Sequence, residues 1–158
     1  MEAISTNAIL GGIDGRLDVW SRAIYMIQDF PFTGVGMGTY GRVADMLYPF
    51  FLSTPGRVQH VHNLFPQIAV DLGIPGLIVW LSIWILMVFT SFQLYRHGNK
   101  IRDKLESGLG AGLLCSQIAL ASHGMLEAVT WGMVKPAPLV WVIWGITVAG
   151  WYVLSKRA

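Results

Sequence analysis

Long stretches of this chain carry no charge, and their lengths suit a membrane. No Asp, Glu, Lys or Arg falls between Leu72 and Tyr95, and as a helix that run outlasts the roughly 30 Å hydrocarbon core of a bilayer. A second such run covers Ser107 to Leu126, and a third lies between Pro136 and Lys156 with Ala137 to Leu154 as its apolar part. The pattern predicts three transmembrane helices at about 72–95, 107–127 and 137–154, within a membrane domain of residues 64–158. Residues 1–63 read differently. Ile13, Leu17, Trp20, Ile24 and Ile27 recur at helical spacing and predict an amphipathic helix over 14–30, with Asp14 as its cap and Pro31 as its stop. Phe30 to Gly38 is rich in turn residues and is expected to approach another backbone or a ligand closely. Asn63 is expected to open a short helix with Pro66 in its tolerant first turn, and Asn63, Gln67 and Asp71 fall on one polar stripe. The Gly73-Ile74-Pro75-Gly76 run then breaks or kinks the chain.

Composition agrees with a membrane protein. The chain has 158 residues, 54% of them hydrophobic and 13% charged, with a mean hydropathy of +0.53. A soluble domain carries about twice that share of charge. A net charge of +2 without a dense basic stretch argues against a nucleic-acid partner, and the lone Cys115 excludes an internal disulfide. Arg96, Lys100, Arg102 and Lys104 mark a cytoplasmic loop between the first two spans, with Lys156 and Arg157 on the same side. Residues 1–63 then face outward. They hold no apolar helix to carry them across, so the chain reads as the carboxy-terminal portion of a larger multi-pass protein.

Several residues can carry chemistry. Arg16 lies at the amino-terminal end of its helix, where a cation is disfavoured by the dipole and free N–H groups attract anions, a position suited to a phosphate. The structural alternative is an interfacial arginine beside Asp14 or Asp18. Arg22 has Asp18 one turn before it and reads as structural, and Arg42 and Arg57 read as solvated. His60 and His62 offer two imidazoles, a weak metal site without a third ligand; either can accept a proton from a hydroxyl, or sit as a loop histidine beside the Asn63 cap. Gly36 to Gly41 matches a dinucleotide-binding spacing, but no strand precedes it, and that site is rejected. In the second span, Gly108 and Gly112 permit close helix contact, and Gln117, Ser122 and His123 should face protein or a cavity. His123 and Glu127 fall one turn apart near the outer face and read first as a mutual hydrogen bond, with a substrate path as the alternative.

Taken in order, Gly15-Arg16-Leu17-x-x-Trp20, Asp29-Phe30-Pro31-x-x-Gly34-x-Gly36-x-Gly38 and His62-Asn63-x-x-x-Gln67-x-x-x-Asp71-x-Gly73-Ile74-x-Gly76 resemble the carboxy-terminal half of the O-antigen ligase and polymerase superfamily. The resemblance implies an all-α integral membrane glycosyltransferase, partly like the GT-C class, in the bacterial cytoplasmic membrane. It implies transfer of a glycan from undecaprenyl pyrophosphate to a hydroxyl on lipid A core, a growing polysaccharide or a protein, with no metal or other cofactor. The family's pyrophosphate-associated arginine falls on Arg16 and its motif histidine on His62, with Trp20, Gly36, Gly38 and Asn63 on the substrate-binding side. Pro66 departs from the family pattern and is expected to shift the helix bearing Gln67 and Asp71; the family's upstream spans and further arginines are missing. The competing readings are a non-catalytic membrane interaction module, a truncated inactive fragment and, last, part of a transporter.

Overall fold

The computed structural model describes residues 13–51, 58–128, 131 and 137–154. All regular structure among them is helical: α1 (Ile13–Asp29), α2 (Tyr40–Leu47), α3 (Leu64–Ile101), α4 (Lys104–Gly124) and α5 (Pro138–Leu154). The chain divides into two compact units, one containing residues up to Ile78 together with 124–134, the other containing 79–123 together with 135–158.

In the first unit α1 and α2 pack through Val19, Ala23, Met26, Tyr40 and Ala44, joined by Val58, Val61 and Val70. The Tyr40 hydroxyl donates to the Val19 carbonyl (2.9 Å), so the largest fully buried side chain among the described residues also has its polar tip satisfied. α1 has a second apolar side besides the stripe expected to lie on the membrane or on further helices, of which Trp20 and Ile27 are partly buried against the core. Leu17 and Ile24 are 53% and 52% exposed, whereas Val19, Ala23 and Met26 are buried with the Arg22–Asp18 ion pair (3.2 Å) beside them. α1 is apolar on more than one side, and packing on α2 selects the side of smaller residues. Asp14 lies inside the first turn rather than ahead of it, where its charge still suits the helix dipole.

The turn after α1 and the break in α3 complete each other. Gly73 adopts φ +73° and ψ 178°, interrupting α3, and Pro75 follows without an N–H. In an unbroken helix Ile74 and Pro75 would be paired with the carbonyls of Val70 and Asp71. Those two carbonyls instead accept from the Val35 N–H (2.7 Å) and the Gly36 N–H (3.1 Å), while the Ile74 N–H donates to Pro31 (2.7 Å). Of the two closest partners expected for the glycine-rich turn, the structure thus supplies a backbone. Gly34 must be glycine: it has φ +63°, and a Cβ there would lie 2.5 Å from the Asp71 carbonyl carbon. Pro66 sits in the first turn of α3, and the non-helical backbone inside α3 is at Gly73.

The second unit is formed by the rest of α3 with α4 and α5. α3 continues to Ile101, so most of the expected cytoplasmic loop is helix and the turn to α4 shrinks to Arg102 and Asp103. Asp103 caps α4, accepting from the N–H groups of Leu105 (2.8 Å) and Glu106 (3.2 Å). α3 and α4 approach at Gly98 and Gly110, where any Cβ would run into the backbone of the opposite helix. Gly108 and Gly112, the pair expected to make that contact, face open space because they lie on the other side of α4. Gln117 is buried as expected and donates to Ser91 Oγ (2.8 Å), but Ser122 and His123 are exposed. Leu94, Leu113 and Leu154 form the apolar centre, and Trp80, Trp84, Trp141 and Trp144 make a chain of ring contacts.

α3 is long and apolar enough to cross a membrane, and it is the one described helix that is. α4 has 21 residues but is diluted by Gly, Ser, Gln and His; α5 is apolar throughout but has 17. α3 leaves Ile78, Val79, Ile85, Leu86 and Phe89 each more than half exposed, a continuous apolar surface that hydrocarbon accommodates and water does not.

Candidate functional site

The first unit draws its chemistry-bearing residues around one immobilised peptide. Val61 is fully buried, its N–H donates to Gln67 Oε1 (2.7 Å), and its carbonyl accepts from Trp20 Nε1 (3.1 Å). Val61 is thus held at both ends between His60 and His62, whose rings lie 4.1 Å apart between centroids. His62 has φ +54°, a left-handed conformation that a non-glycine residue adopts only when its surroundings demand it. Directly after it, Asn63 begins α3, with its Oδ1 accepting from the Phe65 N–H (3.2 Å) as a helix cap.

His62 Nδ1 is 2.9 Å from Glu127 Oε1, both groups partly exposed. A carboxylate at that distance accepts a hydrogen bond from the Nδ1–H tautomer of the ring, which leaves Nε2 with a lone pair directed elsewhere. Glu127 was expected to pair with His123. It does not, because α4 ends at Gly124 and the helical spacing ends with it. The glycine was the sequence signal for that stop. Arg16 reaches the same turn: its Nη1 donates to the Leu126 carbonyl (3.4 Å), and among the described residues no carboxylate pairs with it. Arg16 and His62 thus anchor on consecutive residues, Leu126 and Glu127.

His60 is half-buried. Burial first, and the neighbouring His62 second, hold its imidazole below the ordinary histidine range and so favour the neutral ring. Its Nδ1 is buried and has no hydrogen-bond partner among the described residues. His60, His62 and Glu127 each offer a ligand atom, and these atoms lie within 4.8 Å of one another. The third ligand absent from the sequence pattern is therefore supplied by a residue 65 positions away from His62.

Gly36 and Gly38 are tied to a different centre. Asp71, buried, receives Gln67 Nε2 on Oδ1 (3.0 Å), Trp131 Nε1 on Oδ2 (2.9 Å), and the Gly38 N–H. Together with the Gly36 bond to the Asp71 carbonyl, this fastens the glycine turn to α3. Gln67 joins the two centres, with one end on Val61 and the other on Asp71. The importance of Asp71 and Trp131 had no local signal, since the partners are 60 residues apart. Arg22 has the structural role its spacing suggested: it pairs with Asp18, donates to the Pro49 carbonyl (3.1 Å) and lies over the Phe51 ring. Arg57 lies outside the described residues.

Residues 3–81 match the family model described as O-antigen ligase. No curated protein matches the chain.

Proposed function

The chain belongs to the O-antigen ligase family, and from that premise we propose that it works as the carboxy-terminal part of a membrane glycan ligase or polymerase. The donor is a glycan on undecaprenyl pyrophosphate, and the acceptor is a hydroxyl of lipid A core, of a growing polysaccharide or of a protein. Residues 1–63 face the outside of a bacterial cytoplasmic membrane. α3, α4 and α5 provide the three spans, with the 17 residues of α5 rising about 26 Å.

The acceptor oxygen attacks the anomeric carbon from the side opposite the pyrophosphate, with inversion. The new C–O bond forms as the bond to the pyrophosphate oxygen breaks. His62 Nε2 takes the hydroxyl proton, and the departing pyrophosphate carries the bonding pair, its added charge stabilised by Arg16. Glu127 is a positioning residue that keeps the Nδ1 proton in place and steadies the ring as it becomes cationic. Trp20 acts through the Val61 carbonyl and Asn63 through the start of α3, while Gly36 and Gly38 shape the wall of the site. The supporting observation is the anchoring of a guanidinium, unpaired with any carboxylate among the described residues, and a carboxylate-bound imidazole on adjacent residues of one turn.

Glycan transfer by the intact membrane protein carrying Arg16→Ala or His62→Ala tests the reading. Each substitution should lower kcat at least about 100-fold with normal membrane insertion. Glu127→Gln should lower kcat less than His62→Ala, leave the donor KM unchanged and alter the pH profile of kcat. Full activity in the first two variants removes the enzyme reading and leaves a non-catalytic membrane module.

A further inference from the structure

The geometry points to a zinc-binding site formed by His60, His62 and Glu127, through which zinc reversibly blocks glycan transfer. The donor set is that of zinc: two imidazoles and a carboxylate, leaving a fourth position open to water. Around a tetrahedral zinc the ligand atoms stand about 3.3 Å apart, from bonds of about 2.0–2.1 Å. His62 and Glu127 are already at 2.9 Å, and no pair in the group exceeds 4.8 Å, close to the spacing such a shell requires.

The surrounding chain prepares the site. Val61 is clamped at its N–H and its carbonyl, so ordering the two histidines costs little on binding. His60 has a polar atom to spare: its buried Nδ1 bonds to nothing among the described residues. Three protein ligands hold zinc in an exchangeable rather than a closed site. The inhibitory effect rests on the role proposed for His62, because zinc would tie up the imidazole that must take the acceptor's proton; the binding itself does not depend on that role.

Titration of the purified intact protein with cobalt, which reports tetrahedral coordination through intense visible bands, tests binding without reference to activity. Wild type should show those bands, zinc should displace them, and His60→Ala and Glu127→Ala should each weaken binding at least about tenfold. Zinc should inhibit transfer by the wild type, and a chelator should restore it. His60→Ala should retain transfer and lose zinc inhibition. His60→Gln serves as a milder variant with the same expected outcome. Absence of tetrahedral bands, or bands unchanged in His60→Ala and Glu127→Ala, overturns the site. Binding without inhibition, or stimulation by zinc, overturns the regulatory part. If His62→Ala retains transfer, the catalytic reading falls while the cobalt result is judged independently.

Discussion

Each unit of the molecule buries a glutamine, and the two are used in opposite ways. Gln67 in the first unit commits both ends: Oε1 holds the Val61 N–H and Nε2 holds the Asp71 carboxylate. Gln117 in the second unit commits one end, with Nε2 reaching Ser91 Oγ and the Met87 carbonyl (3.3 Å), while its Oε1 has no partner among the described residues. Ser91 keeps a bond to Met87 of its own. The difference extends to the units as wholes. Individual polar side chains bonded to particular backbone atoms hold the first unit, so its form depends on residue identity. Apolar contact and the close approach of helices at Gly98 and Gly110 hold most of the second, where the His97 Nδ1–Glu106 Oε1 contact (2.6 Å) joins two side chains and fixes no backbone atom. The family match over residues 3–81 covers nearly all of the first unit's leading stretch and little of the second, as that contrast leads one to expect.

The sharpest way to break the contrast is to remove its central acceptor. Asp71→Ala leaves the Gln67, Trp131 and Gly38 donors unsatisfied and should cost about 4 kcal/mol, seen as a large drop in thermal midpoint in detergent. A loss below about 1 kcal/mol would mean that the polar centre does not hold the first unit together. Gly34→Ala should follow, at about 3 kcal/mol, because a left-handed residue gains a Cβ directed into the Asp71 backbone. Its readout is limited proteolysis of the turn together with the midpoint. The two glutamines then give a matched comparison. Gln67→Leu should cost about 2 kcal/mol, by stranding the Val61 N–H and one edge of Asp71, whereas Gln117→Leu should stay within about 1 kcal/mol of wild type. Equal losses in the two variants would abolish the distinction between the units.

What could be read from the sequence follows the same division. The helix stop at Pro31, the cap at Asn63, the kink near Gly73 and the Arg22–Asp18 pair depend on residues a few positions apart, and local chemistry specifies them. Three motif blocks also carried the family assignment. The Glu127 partnership with His62 and the Trp131 bond to Asp71 span 65 and 60 residues and were not legible, because no local pattern encodes which distant segment returns. The second, buried side of α1 was not legible for a different reason. Large residues gave the periodic signal at Leu17 and Ile24, yet closeness to α2 rewards the smaller Val19 and Ala23. The basic residues after Tyr95 signalled a loop through their charge, but charge on an exposed helical face disrupts nothing, and α3 runs on to Ile101.

The smallest expected effect concerns Gly108, and its sign is more informative than its size. Spacing alone pairs Gly108 with Gly112 as a contact surface, but a Cβ at either position meets no atom within 4 Å. Glycine in an exposed helix interior carries a conformational-entropy penalty that alanine lacks, so Gly108→Ala should stabilise the second unit by about 0.5–1 kcal/mol. Gly110→Ala, one residue beyond Leu109 on the side of α4 facing Tyr95, should do the reverse. Opposite signs in the thermal midpoints of these two variants would establish that α4 packs through Gly110 and leaves Gly108 bare. A loss at Gly108 would show instead that another helix lies against that face in the intact membrane protein, and the second unit would then depend on residue identity as closely as the first.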